Sequence, residues 1–478
     1  MKARVSKRCM FLISVLVVLS MVASFTGCGQ SQSSSSTATA DSAESSASQT
    51  AAQTETAAAK PAKLSESDIE IKNTIENTAD GEHAITVDGK TESYTNTLVN
   101  KTGEADGDEA DFYGENSAVF ATNGGTLDLS NMVVKTNGTH ANAVFTYGEG
   151  TTVNISDSYI ETSGNCSGGL MTTGGGTTNA SNLTITTSGN SSAAIRSDRG
   201  GGTMNVTGGS YTTSGVGSPV IYSTADVTVN NAELVSNTSQ GVVVEGKNSV
   251  TLNNSNLTAD NNKKNGSHSD YYQAVMIYQS MSGDAATGLS NFTMNGGTLT
   301  NKNGDVFFVT NTATEINLKG AQITNNDSNG VFLRAAAAGW GKEGSNGGQV
   351  TLNADGQVIN GDMVVDSVSN LNLYLKGNSS YTGAINSSGQ EGGVYVEIES
   401  GSTWTLTGDS YITSLTCAEG AINLNGHSLY VNGVKYTGSA STGQAIETTV
   451  ASSNSEGGGA PDGKPGEKPE GEPPAKPE

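Results

Sequence analysis

The 478-residue chain carries 47 acidic against 24 basic side chains, a net charge of −23. Residues 1–27 hold four basic and no acidic side chains, so the remainder carries about −27, a field that repels polyanions and excludes nucleic-acid binding. Of four cysteines, Cys9 and Cys28 precede any foldable segment, leaving Cys166 and Cys417 in the body.

The chain opens with Lys2, Arg4, Lys7 and Arg8, followed by an apolar run from Met10 to Ala23. This is the charged region and apolar stretch of an export signal, covering residues 1–27. Ser24-Phe25-Thr26-Gly27-Cys28 resembles a bacterial lipobox, with Phe25 where Leu is more usual. The resemblance implies acylation of Cys28 and a membrane partner on the outer face of the cell envelope. Residues 28–63 are Ser, Thr, Ala and Gln with little apolar mass, a composition that reads as a disordered tether. Residues 64–115 precede any clear repeat and read as an amino-terminal cap with one irregular turn.

From Asn116 the apolar residues return with constant spacing in three series. Val119, Val144, Leu170, Ile195 and Ile221 form one; Leu129, Ile155, Ala180 and Val206 a second; Val134, Ile160, Ile185 and Tyr211 a third, all stepping by 25 or 26 residues. Runs such as Thr152-Val153-Asn154-Ile155 alternate with period two, and Gly and Asn mark the breaks. Three strands per turn, stacked turn on turn, follow from this pattern. The expected fold is all-β, a right-handed parallel β-helix of about 12 turns over residues 116–445, roughly 55–60 Å long at the strand spacing of a sheet. Longer intervals at Asp260–Gln273, Gln279–Asn291 and Ala335–Gln349 are expected to project as insertions. Cys166 and Cys417 fall about nine turns apart, on the order of 40 Å, too far for a disulfide. Residues 446–478, rich in Gly, Pro, Glu and Lys, read as an extended, disordered tail.

The body resembles the pectin-lyase-like fold. Trp404-Thr405-Leu406-Thr407-Gly408-Asp409-Ser410, with Thr413-Ser414-Leu415 beyond it, is similar to the closing turns of pertactin-like autotransporter passengers, placing a cap at 394–436. The body also looks like surface β-helix proteins of gut Gram-positive bacteria. These resemblances imply an adhesin-like or glycan-related role without fixing one.

Period-two alternation turns Phe120, Phe145, Met171, Arg196 and Tyr222 outward, one above the next, as a stripe that could stack sugar rings. Its plainer alternative is cover by the amino-terminal segment or an insertion. Tyr271, Tyr272 and Trp340 in the insertions extend the candidate glycan-binding set, again with local packing as the alternative. Arg196-Ser197-Asp198-Arg199 is the best catalytic candidate for a polyuronate lyase or hydrolase, since such chemistry needs a basic residue beside carboxylates; a solvated turn is the plainer reading. Asp106, Asp108 and Asp111 stand in an acidic run whose carboxylates could gather Ca2+, although the spacing is not that of an EF-hand. The reading that results is a lipid-anchored binding protein for glycans or partner surfaces, more a non-enzyme than an enzyme, with a polysaccharide lyase or hydrolase and a structural spacer as rivals.

Overall fold

The computed structural model describes residues 63–107 and 109–449. The signal, Cys28, most of the tether, Asp108 and the tail from 450 lie outside the described residues.

The chain is a right-handed parallel β-helix. Three long parallel sheets, of 10, 11 and 13 strands, build most of its turns; they are named first, second and third by their opening strands, Asn73–Asn77, Ile85–Asp88 and Thr91–Thr95. The first ends at Gln322–Asn325 and the second at Met363–Val365, while smaller sheets of four and three strands complete the last turns. Each repeat series lies in one sheet, residue paired to residue. Val119 pairs Val144, Val144 pairs Leu170, Leu170 pairs Ile195 and Ile195 pairs Ile221 in the second sheet. Leu129, Ile155, Ala180 and Val206 pair in the third, and Val134, Ile160, Ile185 and Tyr211 in the first. All of these side chains are buried in one continuous core. The spacing of the sequence is therefore the register of the ladder, and burial of one face of every strand is what fixes that register.

The corners are closed by residues that accept a left-handed backbone, chiefly Asn and Gly,. At one corner Gly138, Gly164, Gly189 and Gly215 stack on one another so closely that a Cβ on any of them would strike the carbonyl below.

Two boundaries differ from the sequence reading. The ladder begins at Asn73, not Asn116: Asn73–Asn77, Ile85–Asp88, Thr91–Thr95 and Thr97–Lys101 already pair into the three sheets. The repeat was hidden because Ile85 pairs Val119, an interval of 34 residues lengthened by helix α1, Glu109–Tyr113. At the other end the chain does not leave the rod at 446. Asn372 donates from Nδ2 to the Ile446 carbonyl and accepts from the Ile446 N–H at Oδ1, both at 2.8 Å. The last turns pack Trp404 on Tyr381, ring centroids 5.6 Å apart, with its indole N–H donating to the Gly383 carbonyl at 2.9 Å. An antiparallel pair, Leu429–Val431 with Val434–Lys435, and a single antiparallel bridge from Cys417 to Ser441 follow. Neither Cys166 nor Cys417 forms a disulfide.

Candidate functional site

The outer face of the second sheet holds the stripe read from the sequence. Phe120, Phe145, Met171, Arg196 and Tyr222 are mutual register partners, and the column continues through Val243, Met276, Phe308 and Arg334. Its direction is as expected, but it is not an open sugar platform. Phe145 and Met171 are fully buried. Helix α1 and the turn after it lie over them: Gly114 packs on the Phe145 ring, and Thr173 donates to the Phe112 carbonyl at 2.8 Å. Phe120 stacks on His83 at 4.5 Å. Farther along, Val243, Met276, Phe308 and Ala336 form a second apolar cluster under the insertions, closed by Tyr222, Tyr278 and Trp340. Trp340 stacks on His268 at 5.1 Å, and the half-exposed Tyr271 packs on Phe308 and under Arg334, whose guanidinium lies 4.2 Å from its ring. Tyr272 is half-buried and accepts the Asp305 N–H at its carbonyl. An apolar column on a sheet exterior costs free energy unless something covers it, so the insertions are the cover.

The polar members of this face tie the cover down. Arg196 donates to Asp198 at 2.8 Å and to Asp111 of α1 at 3.2 Å, with its side chain 13% exposed. Arg199 forks onto Asp284 of an insertion at 2.8 and 3.0 Å and lies 3.8 Å above the Phe112 ring. Glu245 accepts from the hydroxyls of Tyr222, Tyr278 and Ser280. Burial would lower the Arg196 pKa, but the two aspartates hold it above the ordinary range. Burial raises the Asp198 carboxyl to about 6; Arg196 offsets part of this, and Asp284, Asp111 and Glu245 add to it. Glu245 is likewise raised by burial, against its three hydroxyl partners. Asp111 is lowered: burial pushes it up, and Arg196 with His140 outweighs that. The Arg196–Asp198–Arg199 motif thus sits in a buried, hydrogen-bonded network, not on a solvated turn. Of the acidic run, Asp106 is exposed and Asp111 turns inward to Arg196 and His140.

The open face belongs to the third sheet. Ser93, Asp128, Asn154, Asn179 and Asn205 form one outward column, and Thr95, Ser130, Ser156, Ser181 and Thr207 its neighbour. Each amide donates to the residue one turn below: Asn154 to Asp128 at 2.8 Å, Asn179 to Asn154 at 2.9 Å and Asn205 to Asn179 at 3.0 Å. A groove of about 710 Å³ runs over these columns. The ladder uses one donor and one acceptor of each internal amide, so an N–H and a carbonyl lone pair remain for a ligand. The apolar spacing does not mark this face; its signal in the sequence is the recurrence of Asn and Ser at the outward positions of successive repeats.

Comparison with known proteins adds no relative: no protein-family model, no curated protein and no solved structure matches the chain.

Proposed function

We propose that the chain is a lipid-anchored, adhesin-like binding protein of the cell envelope that captures a hydroxyl-rich polymer, a glycan, along the groove of the third sheet. The observation that carries this reading is the column of linked amides from Asp128 to Asn205 beside a column of hydroxyls. Sugar hydroxyls both donate and accept, and so do these side chains, so a chain laid along the rod meets the same chemistry at every turn. The same face holds an extended segment farther along, where Asn372 bonds Ile446 in both directions. Anchoring at Cys28 through acyl chains, each buried CH2 contributing about 0.8 kcal/mol, would hold the groove at the membrane.

A second reading, a lyase or hydrolase, is favoured by one observation: Asp198, raised to about 6, lies electrostatically coupled to the raised Glu245, and carboxylates with displaced pKa values can serve as acid and base. One experiment addresses both. The full chain is tested on a glycan array and in polysaccharide pull-downs, with and without Ca2+, while unsaturated uronates and new reducing ends are assayed in the same wells. Binding without product supports capture; product transfers attention to Asp198 and Glu245; neither binding nor product leaves the structural spacer.

A further inference from the structure

Among the described residues, 15 side chains other than glycine have positive φ, and 12 of them are Asn or Asp, the types that tolerate this backbone,. The three exceptions are His140, Cys166 and Ser191, at φ 57, 55 and 53°. They are not scattered. The His140 N–H donates to the Asn165 carbonyl, the Cys166 N–H to that of Asn190 and the Ser191 N–H to that of Val216, so the three occupy the same corner of successive turns. Residues held in a costly backbone cluster at functional sites.

Helix α1 brings a third group to that corner. Asp111 Oδ1 lies 3.0 Å from His140 Nδ1, while Arg196 takes Oδ2 at 3.2 Å. One ligating atom each of Asp111, His140 and Cys166 lies within 4.8 Å of the other two. Donors bonded to a single zinc at about 2.0–2.3 Å sit roughly 3.3–3.7 Å apart, so small side-chain rotations bring all three onto one ion. Asp111 and His140 are buried and Cys166 half-buried, which leaves the thiol side as the path of entry and the place for a fourth, water ligand. Charge closes as well: a divalent ion balances the Asp111 carboxylate and a Cys166 thiolate, while Arg196 balances Asp198.

The geometry points to a site for a borderline-soft divalent cation, of the Zn2+ class, built from Asp111, His140 and Cys166. The donor set, oxygen, nitrogen and sulfur, selects zinc or cobalt over the oxygen-seeking Ca2+. Such an ion would also pin α1 to the rod over Phe145 and Met171.

The test uses the metal-free full chain titrated with Co2+, whose bond to a thiolate gives a near-ultraviolet charge-transfer band, followed by displacement with Zn2+. Cys166→Asn and His140→Asn are the variants, because Asn suits the left-handed corner and keeps the ladder, as the β-sheet circular dichroism checks. The expected result is one Co2+ per chain with a thiolate band, lost in Cys166→Asn, and Zn2+ affinity reduced at least ~100-fold in both variants, more than the loss of a merely supporting contact. Alkylation of Cys166 should slow when Zn2+ is added. No band, or a band equal in the wild type and Cys166→Asn, overturns the site. Rapid alkylation that Zn2+ does not slow overturns it too, and identifies Cys166 instead as a thiol nucleophile oriented by His140 and Asp111.

Discussion

The outer faces of the second and third sheets are built by the same rule and end differently. Both present every other residue of their strands outward, in register, from one turn to the next. The second sheet offers Phe120, Phe145, Met171, Val243 and Phe308, with charges among them, and is roofed by α1 and the insertions. The third offers Asn154, Asn179, Asn205 and a row of hydroxyls, and that stretch stays open as a groove. The solenoid fixes where side chains point; their chemistry decides whether other parts of the chain close over them. The decorated face is covered, and the plain face stays open as a groove.

The contrast breaks first at Arg196. It holds Asp111 of the cover and Asp198 of the strand in one buried network, so Arg196→Ala leaves two carboxylates facing each other without their cation. The expected cost is about 3–5 kcal/mol, together with detachment of α1 and new binding of a hydrophobic dye to the uncovered Phe145 and Met171. A denaturant midpoint unchanged from the wild type would show that the network is not what holds the roof.

A smaller effect is expected from pH. Asp198 moves from an ordinary 3.8 to about 6 on folding, so the folded chain binds this proton more tightly than the unfolded one. Its stabilisation is complete below about pH 4 and is lost as the pH rises through about 6, worth ~3 kcal/mol at most. Asp111, held low, acts in the opposite sense and loses its contribution as the medium becomes acidic. In Asp198→Asn the downward slope between about pH 4 and 6 should shrink to what the raised Glu245 supplies,, as urea midpoints taken across that window would show; an undiminished slope would assign it to Glu245.

Much of this was legible in the residues. The three apolar series predicted the strand partners of the central turns to the residue, because stacking demands a constant step and burial punishes slippage. The step failed where it was interrupted: the long interval between Ile85 and Val119 left the first turn legible only as an irregular one, without its register, and nothing in the run from Glu104 to Asp111 announces a helix that packs back on the rod. Period two gave the outward direction of Phe145 and left its cover by the amino-terminal segment or an insertion as one of two alternatives, because the choice depends on contacts between residues far apart in sequence. The Arg196 motif was found from its composition; its partners Asp111 and Asp284, each 85 positions away from the arginine it binds, carry no local signal. His140 and Cys166 stand one repeat apart, yet only the backbone angles mark them as unusual.

The mildest perturbation tests the open face. Asn154 is half-exposed and linked to Asp128 below and Asn179 above, and a net hydrogen bond of this kind contributes about 0.5–1.5 kcal/mol. Asn154→Ala and Asn179→Ala, singly or together, should therefore leave the folded rod nearly as stable as before, while each removes both the amide and the continuity of the column. If the groove captures a glycan, the single variants should weaken binding about tenfold, near 1.4 kcal/mol, and the double variant more than either. Changes at Tyr271 and Trp340 should leave that binding unaltered. Should the aromatic variants lose the glycan and the asparagine variants keep it, the ligand would lie on the insertions over the second sheet, and the roofed face would be the functional one after all.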